Sequence, residues 1–419
     1  MDKFLIQGPV QLKGKVNISG SKNSALPILF ASLLTNELIE IKNIPKLKDI
    51  DITIKLLLTL GVKIKKGKSL IINANNLYKN YILPKKLIQS IRASIWLISP
   101  LLMRFKKIKI YLPGGCSIGQ RPIDLHIKNL KKLGANIYIK NEFIIASINN
   151  RFQGAYIFMK KISVGATINS ILAAIYASNI TIIENAAKEP EIEDLINFLN
   201  MIGANIKGGG TKKIIIKGVK KLTGGIYTIM PDRIETGTFL IAAAISQGKI
   251  LCKNTNPKYL DILLKKLKNI GAKIKIGKNW CSLNMNNKKP KAINITTGPY
   301  PNFPTDIQPQ FTLLNCIALG KSVITETIFE NRFLYIYELI KMGAKIFIKN
   351  NKVFCQGVNL LYGSEIKATD LRASISLVLA GCIATGITII NNINYIDRGY
   401  ENIENKLINL GAKIIRLKN

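Results

Sequence analysis

The chain has 419 residues, of which 47% are hydrophobic and 20% charged, so its composition excludes a disordered protein and its length favours two domains. The net charge of +37 raises the alternative of a basic repeat protein that binds nucleic acid, but only nine of the 61 basic residues are Arg, and most of the lysines fall on positions predicted to face solvent. We therefore favour a solvated basic surface. The six cysteines form no CxxC pair and His126 is the single histidine, which argues against a zinc site or a disulfide framework.

The N-terminal segment lacks the basic and then apolar pattern of a signal peptide. Two stretches without charge, 162–183 and 373–396, each divide into a helix and a strand and carry polar residues. We therefore predict no membrane span and a soluble, cytoplasmic protein with reduced thiols.

One pattern recurs along the chain: an aliphatic residue, Gly, Ala or Val, Lys or Asn, and Ile. An amphipathic helix is predicted before each glycine and an alternating strand after it, so each glycine is predicted to end its helix in the left-handed conformation. The six glycines, 68 to 73 residues apart, are Gly61, Gly134, Gly203, Gly271, Gly343 and Gly411.

Each repeat also contains a helix that is apolar nearly all round, and such a helix must be buried. These helices are predicted at 26–34, 94–103, 168–177, 239–245, 311–318 and 374–383. The strands, in contrast, keep one polar face. We predict an α/β fold of two domains, each with three repeated units, buried helices and outward sheets. A continuous solenoid of six repeats is the alternative.

Polar loops precede the buried and the amphipathic helices, and six of the nine arginines lie in them: Arg92, Arg121, Arg233, Arg332, Arg372 and Arg398. In a Lys-rich chain, a retained Arg indicates a need for a planar, bidentate donor. Helix N-termini add partial positive charge at several of these loops. The sequence therefore predicts a cleft that binds ligands with several negative charges, although a neighbouring pair such as Asp370 and Arg372 is also typical of simple helix capping.

Cys116 lies in a Gly-rich loop near Arg121, and positive surroundings favour a reactive thiolate. The other five cysteines lie among apolar residues and are predicted to be packing residues. Asp306, in the loop before the fifth buried helix, is a candidate base, whereas His126 is predicted to be a structural helix residue.

Five motifs resemble those of the enolpyruvyl transferase family, in particular its members that act in peptidoglycan synthesis. They lie at 20–27, 113–124, 231–238, 303–306 and 369–374, and the resemblance runs along the whole chain. It implies two inverse α/β, barrel-like domains joined by a double-crossover hinge, with the active site in the cleft between them. Residues 22–229 would form the domain that carries the cysteine loop, and residues 1–21 plus 230–419 the second one.

The implied reaction transfers the enolpyruvyl group of phosphoenolpyruvate to the 3-hydroxyl of UDP-N-acetylglucosamine, through a tetrahedral intermediate, and releases phosphate. The resemblance implies the catalytic residues Cys116 as general acid, Asp306 as base, Lys22 and Arg398. It implies a phosphoenolpyruvate site formed by Lys22, Asn23, Arg121, Asp370, Arg372 and Arg398. It implies a nucleotide-sugar site formed by Asn23, Arg92, Arg121, Pro122, Ile123, Asp124, Leu125, Lys161, Ser163, Val164, Asp306 and Ile328.

No metal or organic cofactor is implied, and the expected partners are these two small molecules. The oligomeric state is left open, a monomer being compatible with the sequence. The nearest alternative is the sister enolpyruvyl transferase that acts on shikimate 3-phosphate, and the cysteine loop argues against it. The resemblance also implies that the epoxide antibiotic fosfomycin alkylates Cys116.

Overall fold

The structure, a computed structural model, describes residues 2–79, 82–114, 119 and 122–418. The described strands, in chain order, are β1 (Lys3–Gly8), β2 (Lys13–Asn17), β3 (Ile39–Lys42), β4 (Lys63–Lys66), β5 (Leu70–Asn73), β6 (Lys107–Tyr111), β7 (Asn136–Lys140), β8 (Phe143–Ser147), β9 (Tyr156–Phe158), β10 (Ile180–Glu184), β11 (Asn205–Lys207), β12 (Lys213–Lys217), β13 (Gly225–Thr228), β14 (Lys249–Lys253), β15 (Lys273–Ile276), β16 (Trp280–Asn284), β17 (Ile295–Thr296), β18 (Lys321–Thr325), β19 (Lys345–Lys349), β20 (Lys352–Gln356), β21 (Glu365–Lys367), β22 (Gly386–Asn391) and β23 (Lys413–Leu417).

The α-helices are α1 (Lys22–Ala31), α2 (Lys48–Thr59), α3 (Lys85–Ser90), α4 (Ile98–Phe105), α5 (Asp124–Lys132), α6 (Val164–Ala174), α7 (Pro190–Met201), α8 (Arg233–Ile245), α9 (Asp261–Asn269), α10 (Gln308–Ile317), α11 (Ile336–Lys341), α12 (Leu371–Ile383) and α13 (Ile403–Ile408). Short 3₁₀ helices lie at Ser32–Leu34, Arg92–Leu97, Pro257–Leu260, Thr305–Ile307 and Ile393–Arg398.

The chain divides into two compact units, which we call the middle unit (residues 20–114 and 122–230) and the terminal unit (residues 2–19 and 231–418). Each unit has its own apolar core. In the terminal unit every residue of α8 is buried, and α10 packs against both α8 and α12. Each of these three helices also packs against strands of a different sheet. The sequence prediction of buried helices with sheets outside them is confirmed.

The strands of the middle unit form three sheets, with the orders β13-β3-β5-β4, β6-β8-β7 and β11-β12-β10-β9. Those of the terminal unit form three sheets with the orders β15-β16-β14-β2, β17-β18-β20-β19 and β21-β22-β1-β23. Among the described strands no sheet closes into a barrel. Because β13 pairs in parallel with β3, the last strand of the middle unit joins its first sheet. The two groups of three repeats contradict the solenoid alternative.

The six repeat glycines follow α2, α5, α7, α9, α11 and α13, and their φ angles lie between +90° and +101°. A side chain is penalised in this left-handed region, which explains why glycine ends every amphipathic helix. The strand after each glycine begins with an exposed residue followed by a less exposed one, and β23 continues this alternation along its length. The predicted ends of the repeat helices are therefore confirmed.

Candidate active site

In the terminal unit, two buried arginines flank the carboxylate of Asp306. Arg372 Nη2 donates to Asp306 Oδ2 at 3.0 Å, and Arg332 Nη2 lies 3.5 Å from Asp306 Oδ1. The Arg332 and Arg372 side chains are 1% and 4% exposed, whereas that of Asp306 is 30% exposed. Of these three side chains, only that of Asp306, the base predicted from the sequence, is appreciably exposed to solvent.

The turns before the buried helices hold this group in place. Asp306 lies in the 3₁₀ turn before α10, and Arg332 Nη2 also donates to the carbonyl oxygen of Thr305 at 3.0 Å. Asp370 caps α12, because its Oδ1 accepts the backbone N–H groups of Arg372 and Ala373 at 3.0 and 3.1 Å. Asp370 therefore caps α12, and its Oδ1 also lies 3.7 Å from Arg332 Nη1, while the Arg372 side chain is directed to Asp306.

The environment of Arg372 keeps its guanidinium charged. Burial lowers its pKa, but Asp306, Tyr400 and Asp232 raise it by more, so the pKa lies above its usual value. The guanidinium carbon lies 5.5 Å from the centroid of the Tyr400 ring. The Tyr400 hydroxyl lies 2.9 Å from Thr238 Oγ1 and accepts from Gln310 Nε2 at 3.2 Å. A buried polar network between helices thus supports the arginine.

Two further predicted residues of the terminal unit are half-buried. Arg398 is the last residue of the 3₁₀ helix Ile393–Arg398 and is half-buried. Ile328, also half-buried, follows β18. Arg233, which the sequence placed among the loop arginines, starts α8 and lies 5.5 Å from the centroid of the Tyr300 ring.

In the middle unit, Lys22 and Asn23 form the first turn of α1. Lys22 Nζ lies 2.9 Å from Asp49 Oδ2, and the two side chains are 11% and 5% exposed. A buried ammonium requires such a partner. Asp49, in the first turn of α2, was not identified from the sequence, because an acidic residue at a helix start is common and indicates nothing about its partner.

The starts of the second and third buried helices of the middle unit carry predicted nucleotide-sugar residues. Ser163 caps α6 by accepting the N–H of Ala166, and Val164 is its first residue. Arg92 begins the 3₁₀ helix that leads into α4, and its Nη1 lies 3.5 Å from the Gly114 carbonyl oxygen. Asp124 starts α5. The other predicted residues of this unit that the structure describes are Pro122, Ile123, Leu125 and Lys161, of which Pro122 and Lys161 are exposed.

His126 lies beneath these helix starts in a buried, neutral state. The Asn169 amide nitrogen lies 3.3 Å from His126 Nδ1. Burial, together with the charge of Arg92, lowers the pKa of His126 to about 4, and Asp124 opposes the change. A neutral imidazole with these neighbours agrees with the structural role predicted from the sequence.

We expect His126 to make stability depend on pH. Between pH 6.5 and about 4 the unfolded chain binds a proton that the folded imidazole does not. The free energy of unfolding therefore has its full value above pH 6.5 and falls by about 3 kcal/mol as the pH drops towards 4. Denaturant unfolding of the protein and of His126→Gln at several pH values measures this. A difference between them that is the same at neutral and acid pH would contradict it.

Cys116 and Arg121, the central residues of the predicted cysteine loop, lie outside the described residues. Cys252, Cys281, Cys316, Cys355 and Cys382 are free and buried, as the sequence predicted. In the described ranges, no three His, Cys, Asp or Glu side chains are placed to hold a metal ion. No helix in the same ranges is both long and apolar enough to cross a membrane.

Residues 6–407 match the family model of EPSP synthase (3-phosphoshikimate 1-carboxyvinyltransferase), so the chain belongs to this family of carboxyvinyltransferases. Its relatives include two proteins named UDP-N-acetylglucosamine 1-carboxyvinyltransferase. That of Blochmanniella floridana is 57% identical over 100% of this chain and 99% of its own length. That of Wigglesworthia glossinidia brevipalpis is 58% identical over the full length of both chains.

Two solved structures share the fold. The enolpyruvyl transferase NikO from Streptomyces tendae has a TM-score of 0.90 at 21% identity, over 100% of this chain and 99% of its own. EPSP synthase from Acinetobacter baumannii has a TM-score of 0.78 at 17% identity, over the whole of both chains. The predicted fold class and the resemblance to enolpyruvyl transferases are confirmed.

Proposed function

We propose that the protein transfers the enolpyruvyl group of phosphoenolpyruvate to the 3-hydroxyl of UDP-N-acetylglucosamine, the first committed step of peptidoglycan synthesis. The observation that carries the proposal is the similarity, over the full length, to relatives that are named for this activity. The carboxylate of Asp306 between two buried arginines, and the ammonium of Lys22 in the other unit, supply the charged groups that the reaction needs.

The chemistry is an addition followed by an elimination. The Cys116 thiol gives its proton to the vinyl carbon of phosphoenolpyruvate while the sugar hydroxyl attacks the neighbouring carbon and passes its proton to Asp306. The resulting tetrahedral species carries both the sugar oxygen and the phosphate. Loss of a proton from the new methyl group, returned to Cys116, and departure of phosphate, which takes up the proton held by Asp306, then restore the double bond. Cys116 can also form a covalent adduct with phosphoenolpyruvate, in which the thiol adds across the double bond: the sulfur bonds to the carbon that bears the phosphate and the proton goes to the vinyl carbon.

The anionic groups of phosphoenolpyruvate require several cations. We assign them to Lys22, Arg121 and Arg398, with Arg372 and Asp370 completing this part of the site. Lys22 is suited to the task because Asp49 fixes its ammonium group inside the protein. Asn23, next to it on α1, would contact both the sugar and the intermediate.

The nucleotide sugar would be held by two segments of the middle unit, 121–125 and 161–164, together with Arg92 and Ile328. Both segments lie at or just before helix starts, where backbone N–H groups and the helix dipole favour a negatively charged diphosphate. We propose that residues 22–229, and residues 1–21 plus 230–419, form the two domains whose residues act on these substrates. We place the reaction in the cytoplasm and propose no cofactor.

Exchange of Arg398 for Lys is expected to raise the KM for phosphoenolpyruvate about tenfold. The substitution keeps the charge but removes the planar pair of donors that binds a carboxylate or phosphate in a bidentate manner, and one charged hydrogen bond corresponds to about 1.5 kcal/mol. Steady-state kinetics at saturating nucleotide sugar measures this. An unchanged KM would show that a bidentate contact at Arg398 is unnecessary.

The mass of the product tests the proposed reaction. We expect UDP-N-acetylglucosamine to gain an enolpyruvyl group when it is incubated with phosphoenolpyruvate and the protein. Modification of shikimate 3-phosphate alone would instead identify the sister activity. For the nucleic-acid alternative, tight binding of oligonucleotides that persists at physiological salt would support a different function for the basic surface.

A further inference from the structure

Glu326 is a buried carboxylate without a cationic partner. It follows β18 and is 2% exposed. Within the part of the chain that the structure describes, no basic nitrogen lies within ion-pair distance of it. Burying a carboxylate is costly unless hydrogen bonds compensate, so its presence in a core position requires an explanation.

Four hydrogen bonds from three segments of the terminal unit satisfy Glu326. Its Oε1 accepts from Thr297 Oγ1 at 2.9 Å, and from the backbone N–H groups of Ile328 and Phe329 at 2.8 and 3.3 Å. Its Oε2 accepts from Thr305 Oγ1 at 2.9 Å. One side chain thus joins the strand end at 297, the turn before α10 and the loop after β18.

Two of these segments carry residues that the proposed function uses. Thr305 immediately precedes Asp306 in the 3₁₀ turn, and its carbonyl oxygen accepts from Arg332. The turn is therefore held from two sides, by Glu326 at the Thr305 hydroxyl and by Arg332 at the backbone. The Ile328 N–H, which donates to Oε1 of Glu326, fixes the loop that is assigned to the nucleotide sugar.

We propose that Glu326 is a positioning residue, which sets Asp306 through Thr305 and the nucleotide-sugar loop through the N–H groups of Ile328 and Phe329. This inference rests on the proposed function. A core residue that served packing alone would be apolar, since an apolar side chain avoids the desolvation of a carboxylate. Instead, Oε2 of Glu326 accepts from Thr305, and Oε1 accepts from the N–H groups of Ile328 and Phe329.

The division predicts separable kinetic effects. Thr305→Val removes only the hydrogen bond between Glu326 and the turn that carries Asp306. It is expected to lower kcat about fivefold to tenfold, with the KM for UDP-N-acetylglucosamine within about twofold of the original. Glu326→Ala removes the contacts to Thr305 and to the N–H groups of Ile328 and Phe329, and should lower kcat and raise that KM, each about tenfold. Glu326→Gln keeps an oxygen for the two N–H groups, and its amide can donate to the Thr305 hydroxyl, so it is expected to restore both constants to within about threefold.

The matched control is Glu338→Ala. Glu338, on α11 in the same unit, accepts the N–H of Lys367 at 3.1 Å and pairs with Lys341, so its loss costs similar contacts away from Thr305 and Ile328. We expect this variant to lower the melting temperature and to leave kcat and KM unchanged.

Two measurements on the four variants test the inference: steady-state kinetics followed by phosphate release, and thermal unfolding. The inference is overturned if Thr305→Val and Glu326→Ala change kcat and KM no more than Glu338→Ala does, or if Glu326→Gln is as impaired as Glu326→Ala. Should Glu326→Ala fail to fold, the inference is overturned by an unchanged kcat in Thr305→Val, or by a kcat or KM in Glu326→Gln that departs from the original by more than about threefold. If the unmodified protein releases no phosphate with UDP-N-acetylglucosamine, the proposed function fails and the inference with it.

Discussion

Cys116→Ser is expected to reduce turnover by about 10²–10⁴-fold, the range that loss of a general acid typically costs. A serine hydroxyl is a far weaker acid than a thiol, so it does not protonate the vinyl carbon at neutral pH. The same substitution is expected to prevent alkylation by fosfomycin, because the reactive thiolate is absent. Phosphate release measures the first effect, and the intact mass of the protein after incubation with the antibiotic measures the second.

The five other cysteines provide an internal control for this prediction. All five are buried, and burial raises the pKa of the Cys382 thiol to about 12, which leaves it unreactive. The unmodified protein should therefore gain one molecule of fosfomycin and Cys116→Ser none. Full activity with the serine would remove Cys116 from the role of acid, whatever the result of the labelling.

Asp306→Asn is expected to lower turnover by about 10²–10⁴-fold, since an amide cannot accept the proton of the sugar hydroxyl. The substitution also leaves Arg332 and Arg372 buried without the charge they share. We therefore expect the free energy of unfolding to fall by about 1–3 kcal/mol, less than for a fully buried pair because Asp306 is partly exposed. Steady-state kinetics and denaturant unfolding measure the two effects.

Glu404→Gln is the matched control for this variant. Glu404 lies 3.0 Å from Arg416 Nε in the same unit and is 22% exposed, so its neutralisation also removes a carboxylate from an arginine. It should reduce stability slightly and leave turnover within about twofold. If Asp306→Asn lost no more activity than this control, Asp306 would not be the base.

The repeat architecture could be predicted because its determinants are local. A left-handed glycine after an amphipathic helix, and a helix without a polar face, are visible within a few residues of sequence. The strands that make up the sheet β21-β22-β1-β23 could not be predicted in this way. There, β1 lies between β22 and β23, so the N-terminal strand completes the repeat at the other end of the chain. Such a pairing depends on the closed arrangement of the whole unit.

The candidate site was predictable to a similar degree. The scarcity of arginine in a Lys-rich chain drew attention to Arg332 and Arg372, which the structure brings together at Asp306. The acidic residues that support the candidate site are less visible in the sequence, because Asp49 and Glu326 act through contacts with residues distant in sequence or through backbone N–H groups. A single acidic residue in a helix or after a strand carries no signal for such contacts.

The measurement that tests the account most directly is phosphate release from phosphoenolpyruvate with each of two acceptors, UDP-N-acetylglucosamine and shikimate 3-phosphate. We predict rapid release with UDP-N-acetylglucosamine, none above background with shikimate 3-phosphate, and loss of the release in Cys116→Ser. Turnover supported by shikimate 3-phosphate and not by the nucleotide sugar would contradict the proposed function.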